Sequence, residues 1–474
     1  MRRYLLASIL PFVAAGLLWA QSAAPVPDAQ VDKVFARWTN QTPGCAVGVS
    51  KGGVPVLQKA YGMADLEHDV PNRPDTIFEA GSVSKQFTAA AILLLAREGK
   101  LSLDEPARKY VPELPDYGAP LTIRQMLQHT SGLRDWGEIA GIAGWPRTTR
   151  VHTHAHVLDI ISRQKALNFQ PGTQFSYSNS GYNLAAIIVS RVSGKSFADF
   201  SRERIFEPLG MTRTSWRDDF TRIVKDRAIA YAPDGDAYRM NMPFENVHGN
   251  GGLLTTVGDL LKWNENFVTP KVGDAAFVKL QQEPGRLNDG TPHEYAMGLY
   301  VRPYKGVPEV SHSGSTAGYR AYLTRFPEQH LSVAVLCNAA NANPTQYALA
   351  VADMYLGDRI QTTTTPAAQP RGSRRGEPTF TPDPKDLAAY VGTYYSDEAE
   401  VAYEAALDGG ALVLRHRPDT VIRLQPTARD EFRGGSRQFR FIRGANGAVT
   451  ELSLRGSRVF DLRFKRVAPG GGTH

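Results

Sequence analysis

Cysteine is scarce in this 474-residue sequence, which contains only Cys45 and Cys337. Two cysteines do not make the disulfide framework of a small secreted domain, and they leave two states open, one bridge or two buried thiols. The spacing of cysteine and histidine does not suggest a zinc site. We therefore expect a globular protein with an ordinary hydrophobic core, no metal and no cofactor.

The sequence also has no large excess of positive or of negative residues. The net charge is +7, from 54 Lys and Arg against 47 Asp and Glu. The basic residues are scattered along the chain, apart from Arg371, Arg374 and Arg375 in a predicted linker. We therefore predict no nucleic-acid surface.

Long apolar runs are confined to the N-terminus. Arg2 and Arg3 precede an apolar run over 4–19, and small residues follow it, in the order typical of a secretory signal peptide. The run is shorter than the roughly 20 residues of a membrane span, and no cysteine follows it to carry a lipid anchor. We predict a signal peptide over 1–24 and a periplasmic or secreted protein with no membrane span after cleavage.

The rest of the chain divides by composition. Residues 25–358 predict one large domain, and residues 359–380, rich in Thr, Pro, Arg and Gly, predict a linker. Beyond the linker, residues 381–468 alternate apolar and other residues between turn signals such as Asn446-Gly447. This pattern predicts a small antiparallel β domain, a lipocalin-like closed barrel of about eight strands.

Turn residues mark the elements of the large domain. Gly52-Gly53 joins two strand-like runs into a predicted hairpin. Three further antiparallel strands are predicted over 310–318, 319–326 and 331–337. Pro106 predicts the start of a helical segment.

Ser82 and Lys85 lie three residues apart where a helix is predicted to begin. That spacing puts both side chains on one helix face. Ser82 would also lie among the unpaired N–H groups of a helix N-terminus, which favour negative charge on an attacked carbonyl oxygen. The simpler interpretation is an N-cap followed by a solvated lysine, because Ser-x-x-Lys alone is a weak motif.

Several histidines admit structural interpretations. His129, in a glycine-broken loop, is expected to be a structural hydrogen-bonding group. His152, His154 and His156 suggest a metal site if they lie on a strand. An N-cap threonine and an apolar helical period favour a helix instead, on which the three side chains do not converge.

Two more motifs follow Ser82-x-x-Lys85 along the chain. Tyr177-x-Asn179 lies in a polar turn before a helix predicted over 184–192, and His312-x-Gly314 lies in a predicted strand. With their flanking residues, the three motifs resemble those of serine hydrolases built on the class C β-lactamase and DD-peptidase fold.

The resemblance covers residues 28 to 357 and implies an α+β fold. It implies an antiparallel sheet flanked by helices, beside a helical subdomain, with the active site between them. It also implies that the end strands of the sheet bring Cys45 close to Cys337.

The resemblance assigns roles to the motif residues. Ser82 would attack the substrate and become acylated, with either Lys85 or a Tyr177 phenolate as its base. Tyr177 would protonate the leaving group. Asn179 would hold Lys85 and a substrate amide oxygen.

The third motif contributes a strand to the implied site. Backbone N–H groups of Ser82 and Ser315 would form the oxyanion hole, and Gly314 would leave the strand bare for the acyl group. β-Lactamases and DD-peptidases of this fold usually have Lys-Thr-Gly where this chain has His312-Ser313-Gly314. A histidine is mostly neutral at pH 7, which predicts slow or absent β-lactam hydrolysis.

The His-x-Gly variant is similar to that of D-aminopeptidases and esterases of the family. Some of these D-aminopeptidases carry β-barrel domains, and in such an arrangement an acidic barrel residue could meet a substrate amine. We therefore expect an exported serine hydrolase of small esters or of amides and peptides, with such small-molecule or peptide substrates as partners. The alternatives are a β-lactamase or DD-carboxypeptidase, and a non-catalytic protein that binds cell-wall peptide or β-lactam.

Overall fold

The computed structural model describes residues 28–361, 380 and 382–467. The predicted signal peptide over 1–24 and nearly all of the predicted linker lie outside these residues, so the domain boundaries stay predictions. In the described part of the chain, no helix is long and apolar enough to cross a membrane.

The helices and strands of the described residues are numbered in chain order. The helices are α1 Asp28–Phe35, α2 Lys85–Arg97, α3 Ile123–Leu127, α4 Trp136–Ile142, α5 His154–Ser162, α6 Ser180–Ser193, α7 Phe197–Ser201, α8 Glu207–Leu209, α9 Val257–Glu265, α10 Ala275–Gln281, α11 Pro344–Leu356 and α12 Pro384–Ala388. The strands are β1 Cys45–Lys51, β2 Val54–Tyr61, β3 Met63–Asp65, β4 Val70–Pro71, β5 Phe78–Glu79, β6 Ser215–Trp216, β7 Tyr231–Asp234, β8 Ala237–Met240, β9 Leu253–Thr255, β10 Tyr300–Tyr304, β11 Val307–Thr316, β12 Tyr319–Phe326, β13 Leu331–Cys337, β14 Gly392–Ser396, β15 Val401–Asp408, β16 Ala411–His416, β17 Thr420–Arg423, β18 Gln425–Ala428, β19 Glu431–Gly434, β20 Arg437–Arg443, β21 Val449–Arg455 and β22 Leu462–Val467.

The large domain is built on a six-stranded antiparallel sheet in the order β10-β11-β12-β13-β1-β2. The predicted hairpin and the three further predicted strands are confirmed. Helices cover both faces: Ala46 and Ala334 face α9, whereas Val47 and Val335 face α1 and α11. Because β13 has no solvent face, it is buried along its whole length and is apolar except at Ser332.

The two cysteines lie opposite each other at the ends of β1 and β13. Cys45 pairs with Cys337 in the strand register, and the two form a disulfide bond. Of the two states that the sequence left open, the structure has the bridge. This agrees with the closeness that the family resemblance implies.

A helical subdomain stands beside the sheet, with α6 at its centre. α6 packs against α2, α3, α5 and α7. It begins at Ser180, earlier than the predicted start at residue 184, because Ser180 and Asn183 are buried polar residues that the apolar pattern did not include. The predicted helical segment at Pro106 is only the 3-10 turn Ala107–Lys109, since Pro106 is extended and bridges to Thr122.

The C-terminal region is a nine-stranded antiparallel sheet that curls into a nearly closed barrel, in the order β17-β16-β15-β14-β22-β21-β20-β19-β18. The predicted antiparallel barrel is confirmed, with nine strands instead of about eight. Its end strands β17 and β18 are joined through Leu424, and they do not pair with each other among the described residues. Both strands alternate exposed and half-buried residues, so their apolar signal in the sequence is weak.

Candidate active site

Ser82 lies in a 3-10 turn, Gly81–Ser84, that leads directly into α2. The N-cap of α2 is Ser84, so Ser82 is not its capping residue. The Oγ of Ser82 is 3.1 Å from the Nζ of Lys85, the first residue of α2. The interpretation of Lys85 as a solvated lysine is wrong, because the side chain is fully buried.

Three oxygen atoms surround the Lys85 amine. Besides the Ser82 hydroxyl, they are the Oδ1 of Asn179 at 2.9 Å and the backbone O of Asn250 at 2.7 Å. Burial lowers the pKa of Lys85 well below its usual value, and the positive charge of Arg458 adds to the effect. A neutral amine has two N–H donors, which the two carbonyl oxygens accept, and one lone pair, which is left for the Ser82 proton.

Asn179 is oriented by an aspartate of the helical subdomain. The Oδ2 of Asp135 accepts hydrogen bonds from the backbone N of Asn179 at 2.8 Å and from its Nδ2 at 2.9 Å. The other carboxylate oxygen accepts from the backbone N of Glu138 and caps α4. The amide of Asn179 is therefore fixed with its Oδ1 toward Lys85.

Tyr177 is the second titratable group beside Ser82. Its ring lies 4.9 Å from the Nζ of Lys85 and 4.1 Å from the ring of His129. Burial raises the pKa of Tyr177, and a hydrogen bond with Ser82 only partly offsets this effect. The phenol keeps its proton at neutral pH, which suits a proton donor better than a base. His129 accepts a hydrogen bond from the backbone N of Ser178 at 3.2 Å, in agreement with a structural role.

His312 lies on β11, on the opposite wall of the site, and is buried. Its Nδ1 donates to the backbone O of Ser313 at 2.6 Å, so its Nε2 accepts from the hydroxyl of Tyr295 at 2.9 Å. Burial lowers the pKa of His312 to about 3, with the charge of Lys85 as the next cause. The imidazole is neutral, as its place in the motif predicts, and supplies no cation.

Gly314 allows β11 to lie directly against the turn that carries Ser82. A Cβ at Gly314 would lie 2.0 Å from the backbone O of Ala80 and 3.1 Å from the backbone N of Ser82. Gly81 has a φ of 51°, and a Cβ there would lie 2.6 Å from the backbone N of Ser315. Both glycines are thus needed for the close approach of two backbones. The place that a side chain at Gly314 would take is occupied by the backbone of Ala80, so this glycine makes room for the turn of Ser82 and not for a substrate.

A cavity of about 660 Å³ lies between β11 and the helical subdomain. Six of the seven predicted site residues line it: Ser82, Tyr177, Asn179, His312, Gly314 and Ser315. The seventh, Lys85, is buried in contact with Ser82. A larger groove of about 940 Å³, between β2 and α9, contains none of the seven.

The family follows from the match to known proteins. A family model described as Beta-lactamase matches residues 30–355, most of the chain. The chain belongs to the Beta-lactamase family. It is a serine hydrolase of this family, with the α+β fold that the motifs predicted.

This Beta-lactamase family chain is 29% identical over 299 residues to a D-aminopeptidase from Brucella anthropi. The aligned region covers 62% of the chain and 56% of the relative. It is also 29% identical over 325 residues to penicillin-binding protein 4* from Bacillus subtilis, and this alignment covers 64% of the chain and 69% of the relative. The chain therefore spans only a little more than half the length of the D-aminopeptidase.

Some solved structures match almost the whole chain. The octameric penicillin-binding protein homologue from Pyrococcus abyssi aligns over 92% of this chain and 98% of its own, with 25% identity and a TM-score of 0.62. That alignment extends beyond the region of the family match, so the likeness in fold includes the C-terminal region.

The barrel of this Beta-lactamase family chain reaches the active-site cavity. The loop over 456–461, between β21 and β22, carries Arg458, which is the barrel's contribution to the described cavity wall. The carbon of its guanidinium lies 4.9 Å from the ring centre of Tyr177. The barrel thus presents a cation to the cavity, and no acidic barrel residue is among the described residues that line it.

Sequence reasoning missed four residues that shape the site: Asp135, Asn250, Tyr295 and Arg458. Asp135 and Asn250 lie in glycine-containing loops that a search for buried polar residues would flag. Tyr295 and Arg458 had no local signal, because their roles depend on approach in space.

The three clustered histidines behave as the helical interpretation predicts. Thr153 caps α5, and the Nδ1 of His156 accepts from its backbone N. The Nε2 of His154 lies 3.0 Å from the backbone O of His248, and that of His152 lies 3.1 Å from the backbone O of Trp145.

Proposed function

We propose that this chain is an exported serine hydrolase that forms an acyl-Ser82 intermediate on small esters, or on amides and peptides. The observation that carries the proposal is the contact of 3.1 Å between the Ser82 hydroxyl and a buried lysine amine. No carboxylate among the described residues bonds that amine, so burial favours its neutral, proton-accepting form.

The proposed reaction has two halves. The Ser82 proton passes to Lys85 as the Oγ attacks the substrate carbonyl carbon, and the backbone N–H groups of Ser82 and Ser315 stabilise the oxyanion. Tyr177 gives a proton to the leaving group as its bond to the carbonyl carbon breaks. The Tyr177 phenolate then takes a proton from water as the water attacks the acyl-Ser82 ester, and Lys85 returns its proton to the Ser82 Oγ as the acid is released.

The environment of the two candidate bases favours Lys85 over a Tyr177 phenolate. Burial lowers the pKa of Lys85 and raises that of Tyr177, so each is driven to its neutral form. A neutral amine can accept the Ser82 proton at once, whereas a neutral phenol cannot.

Export is supported by the N-terminal sequence and by the disulfide. Residues 1–24 have the order of a signal peptide, and a disulfide bond persists in oxidising compartments such as the periplasm. Fractionation of cells that express the full chain tests this part: recovery of the protein only in the cytoplasm would contradict it.

A fluorophosphonate probe and p-nitrophenyl acetate test the chemistry. We expect the probe to label Ser82 and the ester to be turned over, and we expect Ser82→Ala to lose both. Ser313→Ala is the matched control, because Ser313 is an exposed serine of the same cavity wall, and it should be labelled like the wild type. Labelling that persists in Ser82→Ala would exclude Ser82 as the nucleophile.

Nitrocefin separates this proposal from a true β-lactamase. Neutral His312 lacks the permanent cation of Lys-Thr-Gly, so we expect nitrocefin hydrolysis to be slow or absent beside ester turnover. Nitrocefin turnover as fast as that of the best ester would favour the β-lactamase instead.

A further inference from the structure

Arg458 is anchored in the active site by its backbone. The backbone N of Arg458 donates to the Oε2 of Glu138 at 2.6 Å. Its backbone O accepts from the Nδ2 of Asn168 at 2.9 Å and from the backbone N of Asp135 at 3.2 Å. The catalytic domain thus fixes the position from which this barrel side chain enters the cavity.

The guanidinium of Arg458 has hydrogen-bond donors left for a ligand, although it forms a long ion pair with Asp135. Within the described part of the chain it donates no hydrogen bond, and its nearest carboxylate oxygen is the Oδ2 of Asp135 at 3.7 Å. That oxygen already accepts two hydrogen bonds from Asn179. The Arg458 side chain keeps 41% of its surface exposed, and it lines the cavity.

The other two arginines of the cavity wall are already engaged. Arg147 forms a two-pronged ion pair with Glu245 and packs over the ring of Trp136. Arg320 donates to the backbone O atoms of Ala317 and Tyr319. Arg458 is therefore the arginine that has the most donors to offer a substrate.

The charged residues that line the described cavity wall are all positive. Among its described lining residues are Arg147, Arg320 and Arg458, but no Asp or Glu. A substrate ammonium, which an aminopeptidase must hold, would find no carboxylate there. A substrate carboxylate would find a guanidinium fork, the group that matches it best.

We propose that Arg458 recognises a carboxylate of the substrate, so that this enzyme prefers esters, amides or peptides with a free carboxylate near the scissile bond over those with a free amine. This rests on the proposed function above and adds a substrate class to it. Arg458 lies beside Tyr177 and not at the β11 position of His312, so this cation does not replace that of Lys-Thr-Gly. The carboxylate can belong to the acyl group or to the leaving group, and the test separates the two.

Two matched pairs of substrates test the proposal on the full chain. 4-Nitrophenyl hydrogen adipate against its methyl ester places the carboxylate in the acyl group, and 4-acetoxybenzoate against its methyl ester places it in the leaving group. We expect the wild type to prefer the charged member of at least one pair. In Arg458→Gln that ratio of kcat/KM should fall about tenfold or more, and Arg458→Lys should keep part of it.

Two further variants sharpen the result. Arg423→Gln removes the same charge from an exposed barrel position outside the cavity wall and should leave the ratio as in the wild type. Arg458→Glu should reverse the selectivity toward an ester that carries an ammonium group, such as 4-nitrophenyl 6-aminohexanoate. The ratio isolates recognition, because any change in Lys85 affects both members of a pair.

Each outcome decides the proposal. A wild type with no preference in either pair, or an Arg458→Gln ratio within about twofold of wild type, overturns it. If no ester is turned over and Ser82 is not labelled, the proposed function fails separately. Calorimetric binding of the adipate half-ester to Ser82→Ala, with and without Arg458→Gln, then decides carboxylate recognition: equal affinities would overturn it.

Discussion

At the scale of single residues, the charge state of Lys85 sets the pH dependence expected of the proposed reaction. Burial lowers its pKa most, the positive charge of Arg458 lowers it further, and the negative charge of Asp135 raises it. If neutral Lys85 is the base, activity rises as Lys85 loses its proton. Arg458→Gln should therefore move the acidic limb of kcat/KM to higher pH, and Asp135→Asn should move it to lower pH.

The pH dependence of kcat/KM for p-nitrophenyl acetate in the wild type and these two variants measures the shifts. A neutral ester is the right probe, because it has no carboxylate for Arg458 to bind. Shifts in the same direction, or a limb that does not move in either variant, would exclude Lys85 as the titrating base.

Gly314 tests the close approach between β11 and the turn of Ser82. In Gly314→Ala the new Cβ would lie 2.0 Å from the backbone O of Ala80, so one backbone must move. We expect a loss of about 1–3 kcal/mol in the free energy of unfolding and a sharp fall in ester hydrolysis. Gly251→Ala is the control, because Gly251 also lines the cavity but the nearest atom to its Cβ would be 3.8 Å away. Equal melting temperatures for Gly314→Ala and wild type would contradict the prediction.

At the scale of helices, strands and loops, the loop that contains Arg134 and Asp135 connects the catalytic site to the barrel. Arg134 forms a buried ion pair of 2.7 Å with Glu398 of the barrel, and it donates to the backbone O atoms of Phe460 and Asp461 in the barrel loop. The next residue, Asp135, orients Asn179. Docking of the barrel therefore stabilises the loop that orders the amine environment of Lys85.

Glu398→Ala tests this connection. The substitution leaves the buried charge of Arg134 without its partner, which should cost about 3–5 kcal/mol and lower ester turnover. Asp397→Ala is the matched control, because its ion pair with Lys165 is exposed, with side-chain exposures of 54% and 65%, and should be worth less than about 1 kcal/mol. Urea unfolding and kcat/KM measure both, and similar losses in the two variants would contradict the proposed role of the buried pair.

Local patterns predicted the elements of this chain better than their contacts. The spacing of Ser82 and Lys85 is a property of one turn, so the sequence was enough to place them together. Phe460 belongs to the alternating apolar pattern of residues 381–468, which predicts strands, yet it lies in the loop that docks on the catalytic domain, where its backbone N donates to Asn168. Arg458 shares that loop, and its role depends on the docking of two domains, which a local pattern does not record.

At the scale of the whole molecule, strand pairing joins parts of the chain that are far apart in sequence. The sheet joins β1, near the start of the catalytic domain, to β13, near its end. The helical subdomain is inserted between these two strands in sequence. The Cys45–Cys337 bond spans 292 residues and closes that long loop covalently.

Loss of the disulfide should destabilise the whole catalytic domain. A bond that closes so long a loop restricts the unfolded chain, which is typically worth about 2–4 kcal/mol. We expect the double variant Cys45→Ala, Cys337→Ala to melt at a lower temperature than the wild type. At a temperature well below its melting point, the fluorophosphonate probe should still label its Ser82. A reductant should lower the melting temperature of the wild type toward that of the variant and should not affect the variant itself. Equal melting temperatures for the variant and the oxidised wild type would show that the bond adds no stability and would contradict the prediction.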